Sequence, residues 1–341
     1  MNRGFPMKII IVGGTGLLGS QAAKLMMSHG HDVEAISLPS IPENLELPKQ
    51  MIIHFYDYTM MSDQEIERIF TGKDALVFAA GVDERVEFKA PVYQAYETYN
   101  IKPVERMLSI AKNVGIKHAV ILGSYFSHFA KKWNELELEK HHPYIRSRLN
   151  QERVALSFAD ENFYVNILEL PYIFGIQKGR KPVWTIFVNQ FRKPKVIFFP
   201  KGGTAMVTVN QVSHAIYNAI RYGEMKKCYP IGYYNMEWKT LIKKILLAMD
   251  MSTKKIITIP NFIALYGFVR LNKAYKKKGI EPGLNPSQFL KLMSRKTFIS
   301  KDETAILRLP DDDINQAIHD SIVYAFDIEK SDLDVLEMKV K

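Results

Sequence analysis

The fold of this chain of 341 residues is decided by one stretch of its sequence, Val12-Gly13-Gly14-Thr15-Gly16-Leu17-Leu18-Gly19-Ser20. The stretch follows an apolar run and precedes a segment with helical periodicity, so it predicts a turn from a first strand into a first helix. Gly13 suits the tight turn, Gly16 the close approach of a ligand and Gly19 the packing of helix on strand. Because backbone N–H groups and the helix dipole meet there, the context favours a pyrophosphate, and hence a dinucleotide, over an ordinary structural turn.

The composition is that of a soluble globular chain. With 47% hydrophobic residues it can bury a large core and form two lobes. Its one cysteine, Cys228, excludes an internal disulfide framework and fits a reducing cytoplasm, where we expect the protein to act. No Cys/His spacing indicates zinc, so no metal is expected. We find no signal peptide and no apolar run of the roughly 18 residues that a membrane span needs.

The formal net charge of +10 is unevenly distributed. Residues 1–170 contain 18 Lys/Arg and 21 Asp/Glu, a balance of −3, whereas residues 171–341 contain 28 and 15, a balance of +13. A basic second half favours an anionic small-molecule substrate or an anionic surface, and solvated lysines are the alternative. Since the basic residues are scattered, we expect no nucleic-acid partner. They form two groups, Lys178, Arg180, Lys181, Arg192, Lys193, Lys195 and Lys201, and then Lys273, Lys276, Lys277 and Lys278.

Strands and helices alternate along the first half of the chain. Predicted strands lie at 9–12, 32–38, 51–56, 74–79, 117–122 and 165–168, which indicates an α/β fold with a doubly wound parallel sheet. We expect residues 1–175 to form a Rossmann-type NAD(P)-binding domain, completed by part of 205–235. Residues 176–341 would form mainly a smaller C-terminal α/β substrate-binding lobe. The longest apolar stretch, 256–269, predicts a strand end followed by a core helix.

Candidate cofactor residues stand where these strands end. Ser37 lies where a dinucleotide fold usually places a carboxylate for the adenosine ribose, and without an acid or a nearby arginine the choice between NAD and NADP is open. Asp57, next to Tyr58, either accepts from the adenine amino group or caps a turn. The small residues Ala79-Ala80-Gly81 let a flat ring lie close to the backbone.

The catalytic candidate is the pair Tyr144 and Arg148, which share a helix face at a spacing of four. A fixed positive charge there would stabilise a phenolate, which a tyrosine with a pKa near 10 needs for proton exchange at neutral pH. A common surface pair is the alternative. His141 and His142, just before the tyrosine, are expected to face solvent.

Together, in this order, the motifs resemble an extended, or atypical, short-chain dehydrogenase/reductase similar to the NAD-dependent epimerase/dehydratase family. The matching residues are Gly13, Gly16, Gly19, Asp57, Ala79-Ala80-Gly81, Asn100, Pro143-Tyr144, Ser147-Arg148, Glu152 and Pro171-Tyr172-Ile173-Phe174-Gly175. The resemblance implies that Tyr144 is the general acid/base while nicotinamide C4 gives or takes a hydride. It implies further cofactor contacts from Thr15, Leu17, Leu18, Tyr58, Asn100, Arg148, Pro171 and Ile173, and a homodimer through the helices of Pro103 and Tyr144.

Two departures leave turnover open. The family's lysine is Arg148, which keeps the charge and can bond ribose hydroxyls but cannot donate into a proton relay. The family's Ser or Thr falls at Tyr125, with Ser124 just before it. The predicted function is an NAD(P)-dependent oxidoreductase or epimerase/dehydratase acting on a carbonyl or hydroxyl centre, such as that of a nucleotide-linked or phosphorylated sugar. A non-catalytic NAD(P) sensor of the NmrA-like type is the alternative. An apolar carbonyl substrate would suit the aromatic residues Tyr172, Phe174, Trp184, Phe187 and Phe191.

Overall fold

A computed structural model describes residues 6–39, 41, 44–330 and 335–336. Their strands are β1 (Lys8–Val12), β2 (Asp32–Ser37), β3 (Ile52–Phe55), β4 (Ala75–Phe78), β5 (Phe88–Lys89), β6 (His118–Ser124), β7 (Tyr164–Leu170), β8 (Tyr172–Phe174), β9 (Val196–Pro200), β10 (Gly203–Thr208), β11 (Lys226–Pro230), β12 (Tyr234–Glu237), β13 (Lys255–Ile259), β14 (Ile280–Glu281) and β15 (Lys296–Thr297).

The helices connect these strands and cover the faces of the sheets. They are α1 (Leu17–Ser28), α2 (Asp63–Phe70), α3 (Tyr93–Tyr96), α4 (Lys102–Asn113), α5 (Tyr125–Lys132), α6 (Leu138–His141), α7 (Pro143–Ser157), α8 (Thr185–Arg192), α9 (Val209–Tyr222), α10 (Trp238–Ala248), α11 (Asn261–Lys277), α12 (Pro286–Met293) and α13 (Ile314–Ile328). A π-helical turn, Glu97–Ile101, precedes α4, and 3-10 turns lie at Asn134–Leu136 and Lys301–Leu307.

Seven parallel strands form the central sheet, in the order β11-β7-β6-β4-β1-β2-β3. Alternate residues of β1 are buried in the apolar clusters on opposite faces of the sheet, Ile9 and Ile11 on one and Ile10 and Val12 on the other. Both faces are covered, which is why the strand is apolar from Ile9 to Val12. The predicted doubly wound parallel sheet is therefore confirmed. The order of connection reverses between β1 and β4, where ligands bind in such sheets.

Local signals placed several elements correctly. Ser62 and Glu65 form the capping box of α2, and Asp313 caps α13 by accepting from the N–H groups of Asn315 and Gln316. Pro103 stands in the first turn of α4, where its missing N–H costs no helical hydrogen bond. The main boundary differences are in β6 and β7, which continue to Ser124 and Leu170 rather than ending at residues 122 and 168.

The second half of the chain contributes to two layers. Its strand β11 pairs with β7 at the edge of the central sheet, and α9 packs against α1. The remaining part holds a smaller sheet, with β10 between β12 and β15 and also paired with β8. A separate parallel pair joins β9 and β13.

Helix α11 forms where the sequence predicts a helix, but the prediction that it belongs to the core is wrong. Among its residues Ala264 alone is classed as buried. Phe262 is 75% exposed and Tyr266 is 69% exposed. Apolar composition predicted burial, whereas the outward side of this helix is not covered by any described part of the chain.

Candidate active site

The glycine turn has the geometry of a phosphate-binding turn. Gly13 has φ of +84° and donates its N–H to Ile36 O at 2.8 Å. A Cβ on Gly19 would lie 2.4 Å from Gly13 O, so only glycine lets α1 pack this closely on the turn. Gly16 precedes α1 without a side-chain cap, which leaves the amides of Leu17 and Leu18 in the first turn for an anion.

At the end of β2, Ser37 is buried and its hydroxyl is hydrogen-bonded to the hydroxyl of Thr15. The sequence indicated no arginine for this place, but the fold brings one from the second half. Arg180 donates from Nη2 to Thr15 O at 3.1 Å and from Nε to Gln177 Oε1 at 2.8 Å. Burial lowers the pKa of Arg180.

Gln177 ties the same segment to the glycine turn. Its Nε2 donates to Thr15 O at 3.1 Å, to Ser20 Oγ at 3.1 Å and to Glu46 O at 3.2 Å. Sequence reasoning missed Gln177 and used Arg180 only as part of a basic group. The available signal was their position directly after the Pro171–Gly175 motif.

Asp57 lies in an exposed turn after β3. Its Oδ1 accepts from the N–H of Thr59 at 3.0 Å and from the hydroxyl of Thr59 at 2.7 Å, which favours the turn-cap alternative. Tyr58 donates its hydroxyl to Tyr99 O at 3.2 Å. The adenine contacts of these two residues stay predictions.

The loop after β4 is fixed by hydrogen bonds to Asn100, which is fully buried. Its Oδ1 accepts from the N–H of Val82 at 2.8 Å, and its Nδ2 donates to Val82 O at 2.9 Å. Gly81 has φ of +115° and a Cβ there would lie 2.5 Å from Asn100 Oδ1. Asn100 therefore positions the loop that follows Ala79 and Ala80, and its amide is occupied by that loop rather than free for the cofactor.

Tyr144 and Arg148 form a buried pair on α7. Arg148 donates from Nε to the Tyr144 hydroxyl at 3.1 Å, from Nη1 to Gln151 Oε1 at 2.9 Å and from Nη2 to Val82 O at 3.3 Å. The guanidinium is thus fixed by three acceptors.

Arg148 lowers the pKa of Tyr144, as expected from its charge, but other influences on the phenol are larger. Burial raises the pKa of Tyr144, Arg148 lowers it, and the nearby carboxylates of Glu84 and Asp83 raise it further, with a net rise. The cation is present as predicted, but desolvation of the phenolate outweighs it.

His142 is fully buried, so the expectation that it faces solvent is wrong. Its Nδ1 accepts from the N–H of Asn285 at 3.0 Å, and burial, followed by the charge of His141, lowers the pKa of His142 to about 3. A second hydrogen bond joins the same two segments, because Tyr144 donates its N–H to Gly283 O at 3.0 Å. The segment around residues 283–285 therefore covers the start of α7, a contact that no local pattern indicated.

Ser124 and Tyr125 stand at the junction of β6 and α5. Ser124 caps α5 and accepts from the N–H of Phe126 at 3.4 Å. The Tyr125 hydroxyl lies 2.9 Å from Thr204 Oγ1 of the second half, and burial raises the pKa of Tyr125. The hydroxyl of Tyr125 thus forms a hydrogen bond that links the first half of the chain to the second.

The residues of the Pro171–Gly175 motif pack in the interior of the protein. Pro171 is buried between β7 and β8, and Ile173 O accepts from Trp184 Nε1 at 3.1 Å. The aromatic residues considered for an apolar substrate pack on one another: the rings of Phe174 and Trp184 are stacked with centroids 4.2 Å apart. This packing favours their role as core.

Within the described residues, no group of three or more His, Cys, Asp or Glu side chains is arranged to hold a metal ion. No helix in that part of the chain combines the length and apolar character needed to cross a membrane.

Solved structures share this fold at low sequence identity. A UDP-glucose 4-epimerase from Thermotoga maritima, solved with UDP-glucose, matches with a TM-score of 0.67 and 14% identity over 95% of this chain and 100% of that chain. A UDP-N-acetylglucosamine 4-epimerase from Bacillus cereus matches with 0.64 and 13% over 94% and 99%. MoeE5, solved with UDP-glucose and NAD, matches with 0.64 and 11% over 95% and 100%. Identities this low establish the fold alone.

The sequence comparisons identify the family. In sequence, no curated protein matches this chain. The family described as NAD dependent epimerase/dehydratase matches residues 9–232, well over half of the chain. That match takes in β1, the glycine turn and the helix of Tyr144, and it confirms the predicted resemblance and a nicotinamide dinucleotide as the cofactor of the family. This chain belongs to the NAD dependent epimerase/dehydratase family.

Proposed function

We propose that this protein binds NAD or NADP and uses Tyr144 to exchange a proton with a hydroxyl or carbonyl group of a small substrate, as an oxidoreductase or an epimerase/dehydratase. The observation that carries the proposal is the 3.1 Å hydrogen bond from Arg148 Nε to the Tyr144 hydroxyl within a buried pair. Family membership supports the general kind of reaction.

The residues of the glycine turn fit a dinucleotide, because glycine at positions 13 and 19 lets the turn pack directly on Ala79 and on α1, and Gly16 leaves the first turn of α1 without a side-chain cap. In this proposal the amides of Leu17 and Leu18 bind the pyrophosphate, and Ser37 lies at the adenosine ribose. Arg148 bonds a ribose hydroxyl and orients the Tyr144 hydroxyl. The bound nicotinamide supplies or accepts the hydride.

The environment of Tyr144 favours one direction of proton movement at neutral pH. Since its pKa is raised above the ordinary value near 10, the phenol keeps its proton and acts as a donor. A donor is what reduction of a carbonyl group requires. Oxidation of a hydroxyl group needs the phenolate and would therefore speed up as the pH rises.

For the substrate we propose a nucleotide-linked or phosphorylated sugar. Residues 171–223, which begin with the Pro171–Gly175 motif, contain eight Lys and Arg residues and no Asp or Glu. Arg180 of this segment lies against the glycine turn after β1, where a positive charge suits an anionic ligand. Two of the structurally similar proteins were solved with UDP-glucose, which supports the same substrate class.

A second candidate function is a non-catalytic NAD(P) sensor of the NmrA-like type. It is favoured by the Tyr125 hydroxyl, which is bonded to Thr204, and by Asp83 and Glu84, which oppose ionisation of Tyr144. A sensor needs the glycine turn but no proton transfer.

One assay separates the two functions. NAD(P)H absorbance is followed with a panel of nucleotide sugars and carbonyl compounds, comparing the parent chain with Tyr144→Phe. Tyr164→Phe is the matched control, because Tyr164 is the first residue of β7 and lies at the amino ends of the parallel strands, away from the glycine turn. Turnover that is lost only in Tyr144→Phe supports the enzyme, whereas tight cofactor binding without turnover on any substrate supports the sensor.

Three further features belong to the same proposal. Residues 1–175, completed by α9 and β11 from 205–235, form the cofactor-binding domain, and 176–341 contribute mainly the substrate lobe. The protein acts in the cytoplasm, in keeping with its single cysteine. It pairs as a homodimer through α4 and α7, the helices that carry Pro103 and Tyr144.

A further inference from the structure

Helix α11 presents a surface that the proposed function does not use. Phe262, Ile263 and Tyr266, in its first two turns, are 75%, 50% and 69% exposed. Leu265 and Val269 beside them are also exposed. Monomeric proteins rarely leave neighbouring large apolar side chains open to water, so this group calls for a partner.

The helix and the residues that flank it are strongly basic. Residues 251–280 contain no Asp or Glu, and they contain seven basic residues, Lys254, Lys255, Arg270, Lys273, Lys276, Lys277 and Lys278. A segment of 30 residues with a formal charge of +7 attracts an anionic partner and repels a cationic one.

The apolar and basic residues share one side of the helix. At about 100° per residue, Phe262, Tyr266, Lys273 and Lys277 fall on the side opposite the inward-facing Ala264. This outward side is apolar in the first two turns of α11 and basic in the last two. The 17 residues of α11 span about 25 Å, so the apolar part and the basic part follow one another along one continuous surface.

The strands before α11 carry a second exposed apolar pair. Phe198 of β9 and Ile257 of β13 are direct partners in register, and they are 59% and 43% exposed. Lys195, just before β9, and Lys255, the first residue of β13, are exposed as well. The chain runs from β13 through Pro260 straight into α11, so the same combination of apolar and basic groups occurs twice in this region.

We propose that the outward side of α11 binds the surface of an anionic lipid bilayer. Phe262, Ile263 and Tyr266 enter the headgroup region, and Lys273 and Lys277 contact lipid phosphates while their stems lie along the boundary. The helix lies in the plane of the surface. A second copy of this chain fits the surface less well, because it would bring two segments of the same positive charge together.

The test is flotation of the full chain with vesicles of phosphatidylcholine, with and without phosphatidylglycerol. We expect association with the anionic vesicles only, weakening as salt is added. The variant Phe262→Ser/Tyr266→Ser and the variant Lys273→Glu/Lys277→Glu should each lower the partition coefficient by about tenfold or more. All four side chains are exposed, so thermal unfolding should not change.

The matched control is Met60→Ser/Lys117→Glu, which removes an exposed apolar and an exposed basic side chain from the first half. It should bind as the parent chain does. The proposal is overturned if the parent chain does not float with anionic vesicles at low salt, or if the control loses binding equally. It is also overturned if Phe262→Ser/Tyr266→Ser binds like the parent while a nucleic acid competes the vesicles away, or if light scattering shows a dimer that this variant abolishes.

Discussion

Arg148 and Tyr144 are joined by a hydrogen bond of 3.1 Å across one turn of α7, and both side chains are buried. The bond places a permanent cation on a phenol whose pKa is nevertheless raised, because burial has the larger effect. The pair therefore balances two opposing influences on a single proton. Changing either one should be visible in a pH profile.

We expect Arg148→Ala to lower kcat by about 10²-fold or more, because the phenolate loses the charge that stabilises it. In the oxidation direction, where activity rises with pH, the variant should move that rise to higher pH. Arg148→Lys, which keeps a cation, should retain most of the activity. The measurement is NAD(P)H formation across the pH range.

Arg153→Ala is the matched control for this series. Arg153 lies on the same helix but is largely exposed and pairs with Glu139 at 2.8 Å, so its removal should leave the pH profile unchanged. An Arg148→Ala variant with the parent profile would show that the guanidinium does not act on Tyr144.

The second prediction concerns Gly19→Ala. Its Cβ would lie 2.4 Å from Gly13 O and 2.8 Å from Gly14 Cα, so α1 must move away from the turn. We expect a loss of about 1–3 kcal/mol in the free energy of unfolding and a weaker affinity for NADH. Urea denaturation and titration of NADH fluorescence measure the two effects.

Gly267→Ala provides the comparison for that change. A Cβ at Gly267 meets no heavy atom within 4 Å, and the residue stands inside a helix, where alanine is favoured over glycine by about 0.5–1 kcal/mol. This variant should bind NADH normally and be at least as stable as the parent chain. Equal losses in both variants would mean that the Gly19 contact is not the cause.

The parts of the fold that were predictable depend on contacts between near neighbours. The passage from β1 through the glycine turn to α1, the capping box at Ser62 and the cap at Asp313 can all be read from a few consecutive residues. The alternation of predicted strands and helices along the sequence indicates a parallel sheet. These features are fixed by local geometry, so a single sequence contains them.

What could not be predicted depends on contacts between distant residues. Arg180 reaches Thr15 from 165 positions away, and Tyr125 reaches Thr204 from 79 positions away. Periodicity identified α11 as a helix but could not show whether another element covers it. The net rise in the pKa of Tyr144 could not be predicted, because burial depends on the whole fold, whereas the position of Arg148 depends on one helical turn.

A third prediction concerns Glu169, which shares Lys131 with Glu152. Lys131 Nζ lies 2.8 Å from the first carboxylate and 2.9 Å from the second. Burial, and then the charge of Glu152, raise the pKa of Glu169 from 4.5 to about 8, although Lys131 opposes them. Between these two values the folded chain holds a proton that the unfolded chain has released.

The free energy of unfolding should therefore fall as the pH rises from about 5 to about 8, because the folded state binds more protons than the unfolded state. Glu169→Gln cannot ionise, so it should remove this pH dependence. In the parent chain the free energy of unfolding should fall by on the order of a few kcal/mol over this pH range. Urea denaturation at several pH values measures it. Glu161→Gln, at an exposed position, should keep the slope of the parent chain, and a parent slope in Glu169→Gln would contradict the assignment.

The last prediction concerns Arg180 and the choice of cofactor. Its guanidinium is bonded to Thr15 O, and Thr15 is in turn bonded to Ser37, where the adenosine ribose is proposed to lie. Burial disfavours its charge, and a phosphate group close to it would restore that charge's stability. We therefore expect Arg180→Ala to weaken the binding of NADPH more than that of NADH, by about tenfold. Kd values for both cofactors, from fluorescence titration, test this.

Lys178→Ala separates a local contact from general attraction, because Lys178 is exposed and two residues away. It should weaken both cofactors little and equally. Equal weakening of NADH and NADPH by Arg180→Ala would place the guanidinium at the pyrophosphate, which both cofactors share. No effect on either cofactor would leave Arg180 with a structural role alone, as the group that fastens the segment of Gln177 to the glycine turn.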